Sequence, residues 1–274
     1  MACLNRELVE EYGIGIIPLN FYAGGRLYKD WLDVTPSEAY ELFLRDPDSF
    51  KTAASSPEDC LNAFSKARQV AKNIVCVTVS VKLSAVYNVA RKAKEIIENE
   101  HPDTRIEVVD SHTATPAEGF VALAAAHAAR EEKDMPEVIS AALEMRERVN
   151  VIALLDTIKH VYRSGRIPKI AAKFGSILNI RPIFTVSDTI HFAGIVRNRK
   201  RGIDRILQVM REKVGNKVAH VAVMHAYAPE EAEKLKERVA AEFKCAELWL
   251  TEFSPLMGYA CGTGTLGLAF YAED

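Results

Sequence analysis

Ser84 lies in the stretch IVCVTVSVKLSAVYNVA, residues 74–90, where the residue types change within a few positions. A β-branched run of Ile74, Val75, Val77 and Val79 gives way to Ser80-Val-Lys-Leu-Ser84, and Tyr87, Ala90 and Ala93 then recur at helical spacing. The pattern reads as strand, tight loop, helix. In an open parallel sheet, ligands bind outside the carboxyl ends of the strands. A helix starting there turns unpaired N–H groups and the positive end of its dipole towards them. Ser84 then stands where an anionic group could be held, or it caps its own helix, since serine is a preferred N-cap. A nucleophilic serine of a hydrolase or acyltransferase is the competing chemistry. It lacks support, because no G-x-S-x-G surrounds Ser84 and no Ser/His/acid set can be ordered.

The other chemistry-bearing residue types are scattered. Cys3, Cys60, Cys76, Cys245 and Cys261 form no CxxC or Cys/His ligand spacing, so no disulfide framework, zinc site or other metal centre is expected, and the thiols are read as reduced. Gly262-Thr-Gly264 lacks the Lys-Ser/Thr of a phosphate loop. His225 ends a buried-looking strand and reads as structural, and His160 and His191 have no recognisable partner. The run Arg197-Asn-Arg199-Lys200-Arg201 is the most basic patch of the chain. It reads as a solvated loop or as a docking point for a partner or a phosphate.

The elements that must position these residues form two groups. At 274 residues and 49% hydrophobic content the chain supports a substantial core, with two domains as the better expectation. Lys+Arg 35 against Asp+Glu 37 leaves a net charge of −2, which argues against a general nucleic-acid or anionic-membrane binder. No apolar run approaches the roughly 18 residues of a membrane span and no signal-peptide pattern opens the chain, so a cytoplasmic location is expected.

A helix capped by Asn5 stops at Gly13, and a strand over 15–21 turns at Ala23-Gly-Gly25. Three later helices begin with a Ser/Thr cap, a proline and an acid: Thr35-Pro-Ser-Glu38, Ser56-Pro-Glu-Asp59 and Thr115-Pro-Ala-Glu118. With strands over 74–79 and 106–109 between helices, the first part, residues 1–148, reads as a parallel α/β domain. After Arg148 the pattern changes. A strand over 151–155 and helices over 157–162 and 170–178 precede a hairpin of 180–186 with 190–196. Helices over 203–214 and 229–243 then alternate with strands over 217–224 and 246–251, before a Gly-rich loop and a last strand over 266–271. Residues 149–274 thus read as a smaller α+β domain with a mixed or antiparallel sheet.

Eight pieces in order carry a family resemblance along almost the whole chain: GIGIIPLNF, KTAASSPED, VSVKLSAVYNVA, VVDSHTATPAEG, SGRIPKIAAKFGSILNIRPIF, RNRKRG, VAVMHAYAPEEAEKL and CGTGTLGLAF. The chain resembles the DegV family of bacterial fatty-acid-binding proteins. The resemblance implies one long-chain fatty acid as ligand, bound between the two domains, with no further cofactor and no catalysis by this chain alone. It also implies an acyl-carrying role, presenting the carboxylate to a separate ATP-binding subunit of a fatty acid kinase. Thr52 of KTAASS and Ser84 of KLSAVY match the family's two carboxylate-holding hydroxyls. A hydroxyl donates to a carboxylate without a full counter-charge and leaves the oxygen able to attack phosphorus. Arg166 of SGRI matches a family arginine that could offset carboxylate or phosphoryl charge, or serve as an ordinary ion-pair partner. Phe174, Ile177, Leu178, Ile180, Ile183 and Phe184 could line a tunnel, with ordinary core the commoner use.

The chain also departs from the family pattern. Ala53, Ala54 and Ser55 replace the Ser-Gln-Pro that follows the loop threonine, and Ala85 and Val86 replace the Gly-Thr that follows the loop serine. Ala260 stands where the family has a histidine, which puts transfer to a kinase partner in question. The family's opening strand and Asp-Ser-Thr loop have no counterpart before Met1-Ala-Cys-Leu4, so a shortened start is expected.

Overall fold

The computed structural model describes residues 2–157, 165–166 and 180–273. They divide into two compact units of equal length, residues 1–35 with 46–147 and residues 36–45 with 148–274. The second unit is therefore discontinuous in sequence.

In the first unit, α1 (Arg6–Glu11) is capped by Asn5, whose side chain accepts the Leu8 N–H at 2.9 Å. A three-stranded antiparallel sheet follows, in the order β2 (Arg26–Lys29), β1 (Asn20–Ala23), β3 (Lys51–Ala53). The β1–β2 turn uses Gly24 and Gly25 at φ 56° and 78°, the left-handed region that two-residue hairpins require. The strand expected over 15–21 begins only at Asn20. Gly15 and Pro18 stand in the segment before it, and proline has no N–H to give a ladder. Among the described strands of this unit, β4 (Asn73–Thr78) and β5 (Arg105–Asp110) are the pair that runs parallel, in register from Asn73↔Arg105 to Thr78↔Asp110. The antiparallel sheet beside them is the part of this unit that the sequence pattern does not announce.

Between these strands run α3 (Pro57–Ala67) and α4 (Val86–Glu100), followed by α5 (Thr115–Arg130) and α6 (Met135–Arg148). α4 buries Val86, Ala90, Ala93 and Ile97, a stripe at helical spacing, and Ala90, Ala93 and Ile97 share a core with Cys60, Phe64 and Ile106. The Ser56 start of α3 is the capping box read from sequence, with Ser56 accepting the Asp59 N–H and Asp59 accepting the Ser56 N–H. The Thr115 start of α5 is not. Thr115 is the first residue of α5 yet has φ at +64°, outside the right-handed helical region, Ala114 occupies the cap position, and Glu118 turns inward instead of back to the cap.

In the second unit, α2 (Pro36–Arg45) joins a six-stranded mixed sheet. Its strands are β6 (Asn150–Leu154), β7 (Arg181–Ser187), β8 (Thr189–Val196), β9 (Ala219–His225), β10 (Cys245–Glu252) and β11 (Leu266–Ala272). They are ordered β10-β9-β11-β6-β7-β8, with β9 and β10 parallel and the other pairs antiparallel. The hairpin expected around Ser187-Asp-Thr189 forms, with Asp188 at φ 61°. α7 (Arg199–Val214) and α8 (Pro229–Glu242) pack Ile206, Leu207, Met210 and Leu235 onto Ile152 and Val223 of the sheet. The expected Gly-rich loop contains a short helix, α9 (Pro255–Cys261). Expectations that fall on 158–164 and 167–179, including His160, Phe174, Ile177, Leu178 and the helix over 170–178, lie outside the described residues. Among the described residues no helix is long and apolar enough to cross a membrane.

Candidate functional site

After β4 the chain makes a tight turn fastened on three sides. The buried Ser80 donates its N–H to Thr113 O at 2.9 Å, and its own carbonyl accepts from Leu83 N at 2.9 Å and Ser84 N at 3.1 Å. Lys82 N donates to Ser80 Oγ, and Val81 N donates to the Asp110 carboxylate at 3.3 Å. The turn is therefore set by the loop after β5, and it delivers Ser84, half-buried, two residues before α4 begins. Ser84 Oγ accepts the Val86 N–H at 3.4 Å, at the long limit for a hydrogen bond. Ala85 occupies the N-cap and offers no side-chain acceptor, so the head of this 15-residue helix is weakly capped. A ligand oxygen placed there would meet an O–H donor and the positive helix end together. Among the described residues no histidine or carboxylate is hydrogen-bonded to Ser84 Oγ, so none of them acts as its base in this arrangement.

Thr52 sits on β3, opposite Phe21 of β1, and is half-buried. The segment that follows it is tied down by a buried carboxylate. Asp59 accepts from Lys29 Nζ at 2.6 Å, Ser56 Oγ at 2.6 Å, Ser56 N at 2.9 Å and Asn20 Nδ2 at 3.0 Å. Asn20 also donates to Ala54 O at 3.3 Å, and Ser55 Oγ donates to Pro18 O at 2.6 Å. Burial alone would raise the Asp59 pKa, but the bonds from Lys29, Ser56 and Asn20 outweigh it and hold the group at about 2. Both candidate hydroxyls thus belong to the first unit, each at a point fixed by polar contacts.

The remaining candidates are in the second unit. Arg166 is exposed, next to Gly165 at φ 67°. The basic run opens α7, where Asn198 caps by accepting the Arg201 N–H at 2.9 Å. Arg199 is committed internally, to Asp156 Oδ1 at 2.9 Å, Glu231 Oε1 at 3.1 Å and Gly264 O at 3.3 Å. Arg197, Lys200 and Arg201 are exposed, and the first turn of α7 contains no acid. That arrangement opposes the helix dipole. Arg197 and Arg201 edge a hollow of about 300 Å³ with Ile180, Ile195 and Val196.

Ala260 is buried in α9. The turn beyond it is closed by Thr265 Oγ1, which donates to Cys261 O and Gly262 O. Its Gly262 and Gly264 both have φ 83°, so the glycines serve a turn. His225 is buried at the end of β9. Burial pushes its pKa down to about 4, and its neutral Nδ1 accepts the Ala228 N–H at 3.2 Å. His191 Nε2 lies 3.0 Å from Ser187 O and 3.2 Å from Thr189 Oγ1 at its hairpin. All five cysteines are free thiols, and burial pushes Cys60 up to about 11 and Cys76 up to about 12, away from nucleophilic use.

Sequence reasoning missed Glu118. It is fully inside α5, accepts a hydrogen bond from the Val79 backbone and faces Cys76 and Asp110. A signal was available, because Ala117, Gly119, Phe120 and Val121 leave Glu118 no polar face to occupy.

Comparison with known proteins gives this arrangement a lineage. The family profile described as "Uncharacterised protein, DegV family" matches residues 1–273. A DegV domain-containing protein of Clostridium perfringens is 32% identical over 276 residues, covering 100% of this chain and 96% of its own. Among solved structures, a DegV family protein from Thermus thermophilus described by its fatty acid binding superposes with TM-score 0.89 at 24% identity, covering 99% of this chain and 96% of its own. A stearic-acid-binding protein from Eubacterium ventriosum gives TM-score 0.88 at 24% identity, with the same coverage. DegV of Bacillus subtilis, a fatty acid binding protein, gives 0.89 at 23%, again with that coverage. At these identities the structures establish a shared fold. With the profile spanning nearly every residue and a relative above 30% identity along the full length, the chain belongs to the DegV family.

Proposed function

We propose that this protein is a fatty-acid carrier. It binds one long-chain fatty acid, with the carboxylate held by Ser84 and Thr52, and hands that carboxylate to a separate ATP-binding kinase subunit. The observation that carries the reading is the head of α4, where a hydroxyl and a helix terminus without a side-chain cap at Ala85 converge at the end of a parallel strand. Solved relatives described as binding fatty acids support the choice of ligand. The family resemblance supports enclosure of the acyl chain between the two units and the kinase partnership. About 14 buried methylenes at roughly 0.8 kcal/mol each supply on the order of 11 kcal/mol before ordering costs, enough to retain the ligand through purification. Arg197, Lys200 and Arg201 are the cations left for docking the partner. Arg166 is taken as the neighbour of the carboxylate or phosphoryl group.

Mass spectrometry of the purified protein, native and after organic extraction, tests the reading. A stoichiometric adduct releasing a fatty acid is expected. A protein that stays apo after incubation with long-chain acids overturns the carrier assignment. Ser84→Ala and Thr52→Ala should each weaken binding by about 1 to 3 kcal/mol, the worth of one hydrogen bond to a charged group. Unchanged affinity in both variants would remove the head-group assignment while leaving the carrier intact.

A further inference from the structure

Behind the Ser80–Ser84 turn lies a set of buried polar groups that the carrier reading does not use. Glu118 is 6% exposed and takes one hydrogen bond, from the Val79 backbone. Its Oε2 has no partner among the described residues, and neither do Thr113 Oγ1 and Thr115 Oγ1, both buried in the same segment. The backbone there is strained, with His112 at φ 52° and the β-branched Thr115 at φ 64°, a conformation that persists only where surrounding structure enforces it. Val79 leads directly into Ser80, whose carbonyl receives the N–H groups of Leu83 and Ser84 and whose N–H is held by Thr113 O. Glu118 therefore braces the peptide from which the Ser84 turn springs.

We propose that Glu118 is a positioning residue for the head-group site, holding the Val79–Ser84 turn as a neutral carboxyl, so that its ionisation weakens the hold on an anionic ligand. This rests on the carrier reading.

The geometry accounts for the preferred state. A carboxylate in this place would keep one hydrogen bond and no cationic side chain, which costs several kcal/mol in generic terms and is avoided by taking up a proton. Burial is the main cause of the raised pKa. The amino terminus pulls the other way, and Asp110 on β5 adds to the rise, bringing Glu118 to about 7. Cys76 on β4 faces it as a neutral thiol, and the Asp110 carboxylate is occupied by the Val81 and His112 N–H groups. Below about pH 7 Glu118 is neutral; above it, a negative charge appears behind the turn. Two like charges about 10 Å apart at an effective dielectric near 20 repel by enough to shift an equilibrium about tenfold. The coupling is reciprocal, so a bound carboxylate must raise the pKa of Glu118 in turn.

The test is palmitate affinity from pH 6 to pH 8.5 for the wild type and Glu118→Gln, whose amide oxygen can still accept the Val79 N–H. Wild-type affinity should fall about fivefold or more across that range. The variant should match the wild type at pH 6 and hold that affinity at pH 8.5. Identical profiles for the two proteins, or a flat wild-type profile, overturn the positioning role while leaving the carrier standing. Absence of palmitate binding in the wild type at every pH overturns both. Should Glu118→Gln fail to fold, carboxyl-labelled NMR of the wild type decides the matter: the Glu118 titration should move to higher pH with palmitate bound, and an unmoved titration overturns the proposal.

Discussion

Asp59→Ala should destabilise the protein by about 3 kcal/mol at pH 7, read as a lower urea midpoint with an unchanged slope. The magnitude follows from what the side chain does. It is a carboxylate with a side chain 1% exposed, and four donors from three residues converge on it. Deleting it leaves Asn20 Nδ2 with only its bond to Ala54 O, takes the partner from Lys29 Nζ and removes half of the capping box that starts α3. Asn20 Oδ1 already lacks a partner among the described residues, so the substitution adds unpaired donors to a pocket that is not fully satisfied to begin with. Lys29→Ala should cost less, because the lysine side chain is 35% exposed and Asp59 keeps its bonds from Ser56 and Asn20.

The pH dependence has a definite sign. The folded pKa of Asp59 lies below its ordinary 3.8, at about 2. Its contribution, about 2 kcal/mol, is present above pH 4 and disappears as pH falls through 2. Wild-type stability should therefore drop over that window, and Asp59→Ala should show a shallower drop. A variant as stable as the wild type at pH 7 would mean that the network is ornamental. Because the network also ties down the segment after Thr52, the same substitution should loosen head-group binding.

The features legible in the sequence are those encoded by neighbours. Ser187-Asp-Thr189 announced its hairpin through alternation on both sides, and Ser56-Pro-Glu-Asp59 announced α3 because every group in a capping box lies within four residues. The Ser84 junction was legible for the same reason, as β-branched residues gave way to helical spacing. Thr52 was not. β3 is three residues long, too short for a periodic signal, and only the family resemblance singled that threonine out. Thr115-Pro-Ala-Glu118 carried the same pattern of hydroxyl, proline and acid as the α3 start and folded otherwise. Its acid met a buried N–H from Val79, 39 positions away in sequence, and local pattern holds no record of such a partner. The placement of α2 was hidden in the same manner. It is fastened by Ser37 Oγ donating to Glu252 at 2.6 Å and by Tyr40 Oη donating to Phe253 O at 3.2 Å, contacts that span more than two hundred residues.

Those fastenings put the largest single-site effect at Gly258. α9 crosses the ring of Tyr40, a side chain with no solvent exposure, so closely that a Cβ on Gly258 would fall inside the envelopes of Tyr40 Cε1, Cζ and Oη. Gly258 is helical with no unusual φ, so it is required for space and not for backbone freedom. Gly258→Ala must therefore expel the ring. That breaks the bond to Phe253 O, disturbs the contact with Tyr227 at a centroid distance of 5.7 Å, and unseats α2 from the second unit. The expected loss is about 3 kcal/mol or more, from overpacking plus an aromatic side chain driven out of its site. A double-mutant cycle distinguishes this account from a general intolerance of α9. Tyr40→Leu alone should cost about 2 kcal/mol or more, but far less in the Gly258→Ala background, where the ring has already left and a smaller side chain relieves the clash. Strictly additive costs would show that the two residues do not share one volume, and α2 would then have to be held in the second unit by Ser37 and the apolar face of the helix.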